Sequence, residues 1–198
     1  MSTGSPRQLW LLPALLITVI ATALGALVAR SVYADQPQSP AAIQPSPSSS
    51  PPVPRAEQPG SAEVKGTTDA VAHPLYVTVD KLLQQYFNAI NAKDYAAWST
   101  TVTAARRKIQ VEDDWRRDYK STRDGSIVVY RIETDAGGDT ARVLLHFTST
   151  QDPADAPPEL PVDCIDWNVV WPFAMDHGEW RLANGATSAF PQTAACPN

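Results

Sequence analysis

The strongest constraint in the sequence is its second block. Residues 9–29 (LWLLPALLITVIATALGALVA) run for 21 positions without a charge, between Arg7 and Arg30. As a helix rising 1.5 Å per residue, such a run crosses a hydrocarbon core of roughly 30 Å. Trp10 falls where an interfacial aromatic belongs, and Pro13 sits in the first turn, where its missing N–H is harmless. The expectation is a cytoplasmic N-terminus (residues 1–8) followed by a single transmembrane helix (9–29). The competing reading is a secretory signal peptide cleaved before Asp35, after Val32-Tyr33-Ala34. The apolar run is longer than the 7–15 residues usual for such a peptide, which favours an uncleaved anchor.

The next block cannot build a core. Between residues 36 and 66 there are eight prolines and six serines, with very few large apolar side chains. Too little apolar surface is present to offset the entropy of ordering the chain. Residues 30–70 are therefore expected to be a disordered tether, with the folded domain in residues 71–198. Arg7 and Arg30 nearly balance across the anchor, so charge alone does not orient it. The tether and two cysteines beyond it place the domain outside the cytoplasm, on the cell membrane. From Thr67 onward 12 Lys and Arg stand against 18 Asp and Glu, an acidic balance that disfavours a nucleic-acid partner. The basic residues around Arg106, Arg116 and Arg123 are interleaved with acids, as on a solvated helix face.

Within the domain, Val79, Leu82, Leu83, Tyr86, Phe87 and Ile90 recur at helical spacing, which predicts an amphipathic helix capped by Thr78 and ending at Asn91. A short second helix is expected behind Asp94, and a third over residues 104–120 with Val111, Trp115 and Tyr119 at steps of four. The period then falls to two. Residues 127–134 predict a strand with Val128, Tyr130 and Ile132 on one face. Residues 140–150 follow as a second strand with Ala141, Val143, Leu145 and Phe147 aligned. A third strand is expected over 162–173 and a fourth over 179–183. Helices followed by strands imply an α+β fold, with three helices packed on one face of a curved four-stranded antiparallel sheet.

The stretch Tyr86-Phe87-Asn88-Ala89-Ile90-Asn91-Ala92-Lys93-Asp94-Tyr95-Ala96-Ala97-Trp98, a long helix closed by an N-x-x-D-Y corner, resembles the opening of nuclear-transport-factor-2-like domains. Trp167, Trp171 and Trp180 on the final strands also resemble that superfamily. The resemblance covers residues 77–184 and implies a cone-shaped fold. It does not imply one function, because enzymes and binding modules share this fold. The whole layout of anchor, tether and cone is also similar to actinobacterial exported accessory proteins, including those associated with mammalian-cell-entry transporters.

Cys164 and Cys196 are an even pair in a domain expected outside the cytoplasm, so a disulfide between them is predicted. Two cysteines and three scattered histidines give no metal-ligand spacing, and no cofactor fingerprint or catalytic triad is legible. No catalytic residue, cofactor or metal is assigned. His146 shares a strand face with Arg142. If that face lines the cone, Asp163 or Asp166 would orient His146 as a general base; otherwise it is an ordinary surface histidine. Trp98, Trp115, Trp167, Trp171 and Trp180 are expected to fill the cone, with Trp167 and Trp171 as pocket walls in the alternative. The leading expectation is thus a non-enzymatic accessory module with a protein partner in the cell envelope. The alternative is a small-molecule-binding or catalytic cone.

Overall fold

In the computed structural model the described residues are 53–185 and 191–197. The anchor expected at 9–29 lies outside them. Among the described residues no helix is long and apolar enough to cross a membrane.

The chain enters through a strap, held to Gln84 by the Val64 amide and the Ala62 carbonyl, that ends in a two-residue strand β1 (Lys65–Gly66). Five helices follow: α1 (Thr68–Val71), α2 (Tyr76–Ala92), α3 (Tyr95–Ser99), α4 (Ala104–Ile109) and α5 (Glu112–Asp118). The sheet is built from β2 (Arg123–Thr134), β3 (Thr140–Thr150), β4 (Cys164–Asp176), β5 (Glu179–Leu182) and β6 (Gln192–Ala195). Strand order is β1-β2-β3-β4-β5, and β6 shares the far edge of β4 with β5. β1 runs parallel to β2 and the other pairs are antiparallel.

Four antiparallel strands of the expected kind form the centre, and two short ones were not foreseen. β1 lies in the segment expected to be tether. The folded unit in fact begins well before residue 71, because Val64 and Ala70 are buried in the core and the Ser126 amide donates to the Ser61 carbonyl (2.7 Å). Gly125 shows how closely the strap approaches. A Cβ there would stand 2.7 Å from the carbonyl oxygens of both Pro59 and Gly60, so only glycine leaves room for the crossing.

All six residues of the expected apolar stripe on α2 are buried, and they pack on the concave face of the sheet. Burying a side chain of this size stabilises by roughly 1.5–3 kcal/mol. The helix starts two residues before Thr78, with Leu75 as its first flanking residue, and ends at Ala92, where Lys93 turns left-handed (φ 59°). The Asp94 carboxylate accepts from the Ala97 amide (2.9 Å) and so caps α3 as expected. The single third helix does not form. Gln110 and Val111 adopt non-helical angles and split it into α4 and α5, leaving Val111 exposed while Trp115 is fully buried.

The expected face of β2 is also corrected. Register shifts between Gly125 and Val128 and again between Val129 and Arg131 mark two bulges. Each extra residue reverses the alternation, so Ile127, Val129 and Ile132 point to the core while Tyr130 faces solvent. On β3 the expected stripe holds, and Ser149 continues it.

Cys164 and Cys196 are joined, with their Cα atoms 5.4 Å apart. The bond fixes β6 beside β4, where Ile165 pairs with Ala195. With a sequence separation of 32, closing this loop is worth about 3–4 kcal/mol on the chain-entropy model. Cys196→Ser should lower unfolding stability by about 2–4 kcal/mol in urea titrations while the far-ultraviolet spectrum stays native. A variant as stable as the parent would show that the pair adds nothing to the fold.

Candidate functional site: a cavity between helix α2 and the sheet

The aromatic residues do not close the cone. Trp98 and Trp115 are fully buried, their rings 5.7 Å apart, and pack behind the cavity residues Tyr86 and Tyr119 without lining the cavity themselves. Trp180 is half-buried at the edge of the core. Only Trp167 and Trp171 reach the space between α2 and the sheet, and they stand in its wall. What remains is a cavity of about 1100 Å³, open on one side. The cone expected to be filled by tryptophan is therefore hollow.

The wall is aromatic and ordered. Phe147 of β3 stacks on Trp167 of β4 with centroids 5.8 Å apart and planes inclined by 7°. Phe87 of α2 stacks on Trp171 at 5.7 Å, and Tyr86 meets Trp171 edge-on at 5.2 Å. The Trp167 indole N–H has no partner among the described residues.

Polar groups are concentrated at one end. Asp124 near the start of β2 is buried and lines the cavity, as does Ser149 opposite it on β3. The Ser149 hydroxyl donates to the Asp124 carboxylate. The backbone of Asp124 is held from both sides by one side chain: Asn91 accepts from its amide (2.7 Å) and donates to its carbonyl (2.9 Å). Asn91 belongs to the helix-closing corner, so the end of α2 sets the position of Asp124. The Lys93 ammonium donates to the Thr122 carbonyl nearby. Burial pushes the Asp124 carboxyl up to about 6, against opposing contributions from Ser149 and Lys93. Burial likewise lowers the Lys93 ammonium.

Along the cavity, the Tyr86 and Tyr119 hydroxyls lie 3.5 Å apart. Burial, then the Tyr86 hydroxyl, raises Tyr119 well above the usual phenol range, so it stays a neutral hydrogen-bonding group. Arg106 of α4 donates to the Tyr86 hydroxyl (3.2 Å) and to the Ala183 carbonyl (3.4 Å). The result is an aromatic-walled cavity lined by three carboxylates (Asp118, the buried Asp124 and Asp155), two phenols and one guanidinium.

The residues expected from the sequence divide into two sets. Trp167 and Trp171 line the cavity. His146 and Asp166 do not: strand alternation puts them on the outer face of the sheet, half-buried and 4.0 Å apart. Asp163 lies in the loop before β4 and pairs with Arg55 of the strap. Thus the buried acid of the cavity is Asp124, which the sequence reading missed. Its segment, Arg123-Asp124-Gly125-Ser126, has the composition of a turn, and the bulge behind it hides its place on the inner face. One signal was available: Ser149 extends the apolar alternation of β3 by one step, and its cross-strand partner is Asp124.

Because burial raises Asp124, the folded protein holds its proton more tightly than the unfolded chain. Stability from this group therefore falls as pH rises from about 4 to about 6, and the full loss, roughly 3 kcal/mol, is present above that window. Asp124→Asn should match the parent near pH 4 and exceed it by about 1–3 kcal/mol at pH 8, in urea titrations across that range. Parallel stability curves for the two proteins would show that Asp124 titrates normally.

No family model and no curated protein matches the sequence. Solved structures of similar fold include a SEC-C motif containing protein from Rhodopseudomonas palustris (16% identity, 55% of this chain and 77% of that one, TM-score 0.44). The intermembrane space region of the chloroplast protein ARC6 is another (13% identity, 58% and 96%, TM-score 0.40). A third is an LEH-like epoxide hydrolase from M. tuberculosis (15% identity, 53% and 76%, TM-score 0.33).

Proposed function

We propose that the folded unit is a binding domain for a small, largely apolar molecule, held outside the cytoplasm by a membrane anchor in residues 9–29. The observation that carries the binding reading is the cavity of about 1100 Å³ between α2 and the sheet, aromatic along its wall and polar at one end. Ligand pockets commonly combine an apolar lining with a few convergent polar groups. A burial that raises a carboxyl to about 6 is tolerated here at a cost to stability, a pattern found at functional sites. If the domain is instead catalytic, Asp124 is the group placed to exchange a proton with the ligand. The anchor rests on the apolar run itself, and the disulfide fits an oxidising compartment.

A second reading, an accessory subunit bound to an envelope protein, is favoured by the outer face of the sheet. Tyr130, Leu144 and Val170 are exposed there, large apolar side chains on a face not covered by the helices. Leu144 and Val170 also border the cavity, so on this reading the partner surface and the cavity adjoin.

Titration calorimetry of the full-length protein with 2-naphthol, whose fused ring matches the aromatic wall, tests the cavity. One molecule should bind per chain, and Val169→Trp, which fills the cavity from β4, should abolish binding without lowering the melting temperature by more than a few degrees. Binding that survives the filled cavity would move the site elsewhere and reject the reading. For the anchor, the mature protein should fractionate with membranes and retain residues 9–29 on intact-mass analysis. An N-terminus mapped to Asp35 would identify that segment as a cleaved signal peptide.

A further inference from the structure

We propose that Arg106, together with the hydroxyls of Tyr86 and Tyr119, is a recognition subsite for an oxyanion head, a carboxylate or a phosphate, on a ligand whose apolar ring-containing body lies against the aromatic wall. This rests on the binding reading above and names the class of molecule the cavity takes.

The argument starts from how arginines are used elsewhere in the domain. Arg55, Arg116, Arg117, Arg131, Arg142 and Arg181 each pair with a carboxylate. Arg107, next to Arg106, spends its guanidinium on the carbonyls of Ser99 and Val102, both at 2.8 Å. Arg106 differs from all of these. It lines the cavity, forms no ion pair among the described residues, and meets only the Tyr86 hydroxyl, the Tyr86 ring (5.6 Å to the centroid) and the Ala183 carbonyl. Arg107 and Arg123 also form no ion pair among the described residues, but neither lines the cavity; Arg106 is the half-buried guanidinium that does.

A guanidinium carries five donors in a planar fork suited to a carboxylate or phosphate. Two of Arg106's donors are engaged with neutral acceptors, so others remain for a ligand. The hydrogen bond to Tyr86 orients the fork, and the Tyr86 and Tyr119 hydroxyls add donors 3.5 Å from each other. Tyr119 stays protonated at any physiological pH, so it donates to an anion rather than repelling it. Beyond the head, the stacked pairs Phe147–Trp167 and Phe87–Trp171 present flat apolar surfaces to a ring. Three carboxylates also line the cavity: Asp124 accepts from Ser149, Asp118 is paired with Arg117, and Asp155 accepts from the Ser121 hydroxyl, so each has a protein partner of its own. A neutral or cationic ligand would leave Arg106 desolvated beside it without a partner, which disfavours such ligands.

Calorimetry of the full-length protein at pH 7 with three probes sharing one ring decides the matter: 2-naphthoate, 2-naphthyl phosphate and 2-naphthol. At least one of the two anions should bind ten-fold or more tighter than the neutral naphthol, and which one does separates carboxylate from phosphate recognition. Arg106→Gln should remove that preference and leave the naphthol affinity within two-fold, while Arg106→Lys should restore part of it. Tyr119→Phe should weaken the preferred anion several-fold at an unchanged naphthol affinity, and gives an independent test should Arg106→Gln fold poorly. Equal affinity for all three probes, or an anion preference that persists in Arg106→Gln, overturns the subsite and leaves the cavity reading standing. Failure of every probe to bind overturns both.

Discussion

The packing of α2 into the concave face of the sheet is the contact on which the rest depends. Six apolar side chains on one stripe of a 17-residue helix meet the inner residues of β2, β3 and β4. Tyr86, Phe87 and Ile90 from the same stripe also line the cavity, so the helix forms part of its wall. Asn91, in the last turn of α2, then grips the Asp124 backbone, so the same helix that builds the core also positions the acid beyond it.

Burying Asp124 runs against folding, because the charge loses its hydration and gains only a serine hydroxyl and a nearby lysine. An alanine there would be simpler to bury. The chain tolerates the acid together with an unpaired arginine and an unpartnered indole N–H on the same cavity. The indole N–H groups of Trp98 and Trp115, outside the cavity lining, are unpartnered too among the described residues, so the acid and the arginine are what set the cavity apart. A buried acid and an arginine without a counter-ion are easier to understand in a site that is completed by another molecule than in a core selected for stability alone.

The elements with strong periodicity were legible. The α2 stripe, the Asp94 cap, the β3 alternation and the pairing of Cys164 with Cys196 all follow from spacing or residue chemistry. The site was not, for reasons that lie in particular residues. Two bulges in β2 break the period-two rule at Ser126 and Tyr130, which inverted the expected faces and disguised Asp124 as part of a turn. His146 attracted attention because histidine titrates near neutrality, yet its alternation with Leu145 and Phe147 puts it on the outer face. The tryptophans were counted by volume, and volume alone does not reveal that Trp98 and Trp115 pack on each other behind Tyr86 and Tyr119 instead of filling the cavity. The strap was hidden by its proline content, since Val64 is the main apolar residue that ties it down.

That strap has a mechanical consequence. The chain arriving from residue 53 does not lead straight into α2. It is first clamped to β2 and its surroundings, by Arg55 on Asp163, by Ser61 on Ser126, by the close crossing of Pro59 and Gly60 over Gly125, and by the parallel pairing of β1 with β2. It is clamped to α2 as well, because the Gln84 side chain accepts from the Val64 amide and donates to the Ala62 carbonyl. A pull at residue 53 would therefore be shared between one strand and one helix, and neither would be peeled from the fold alone.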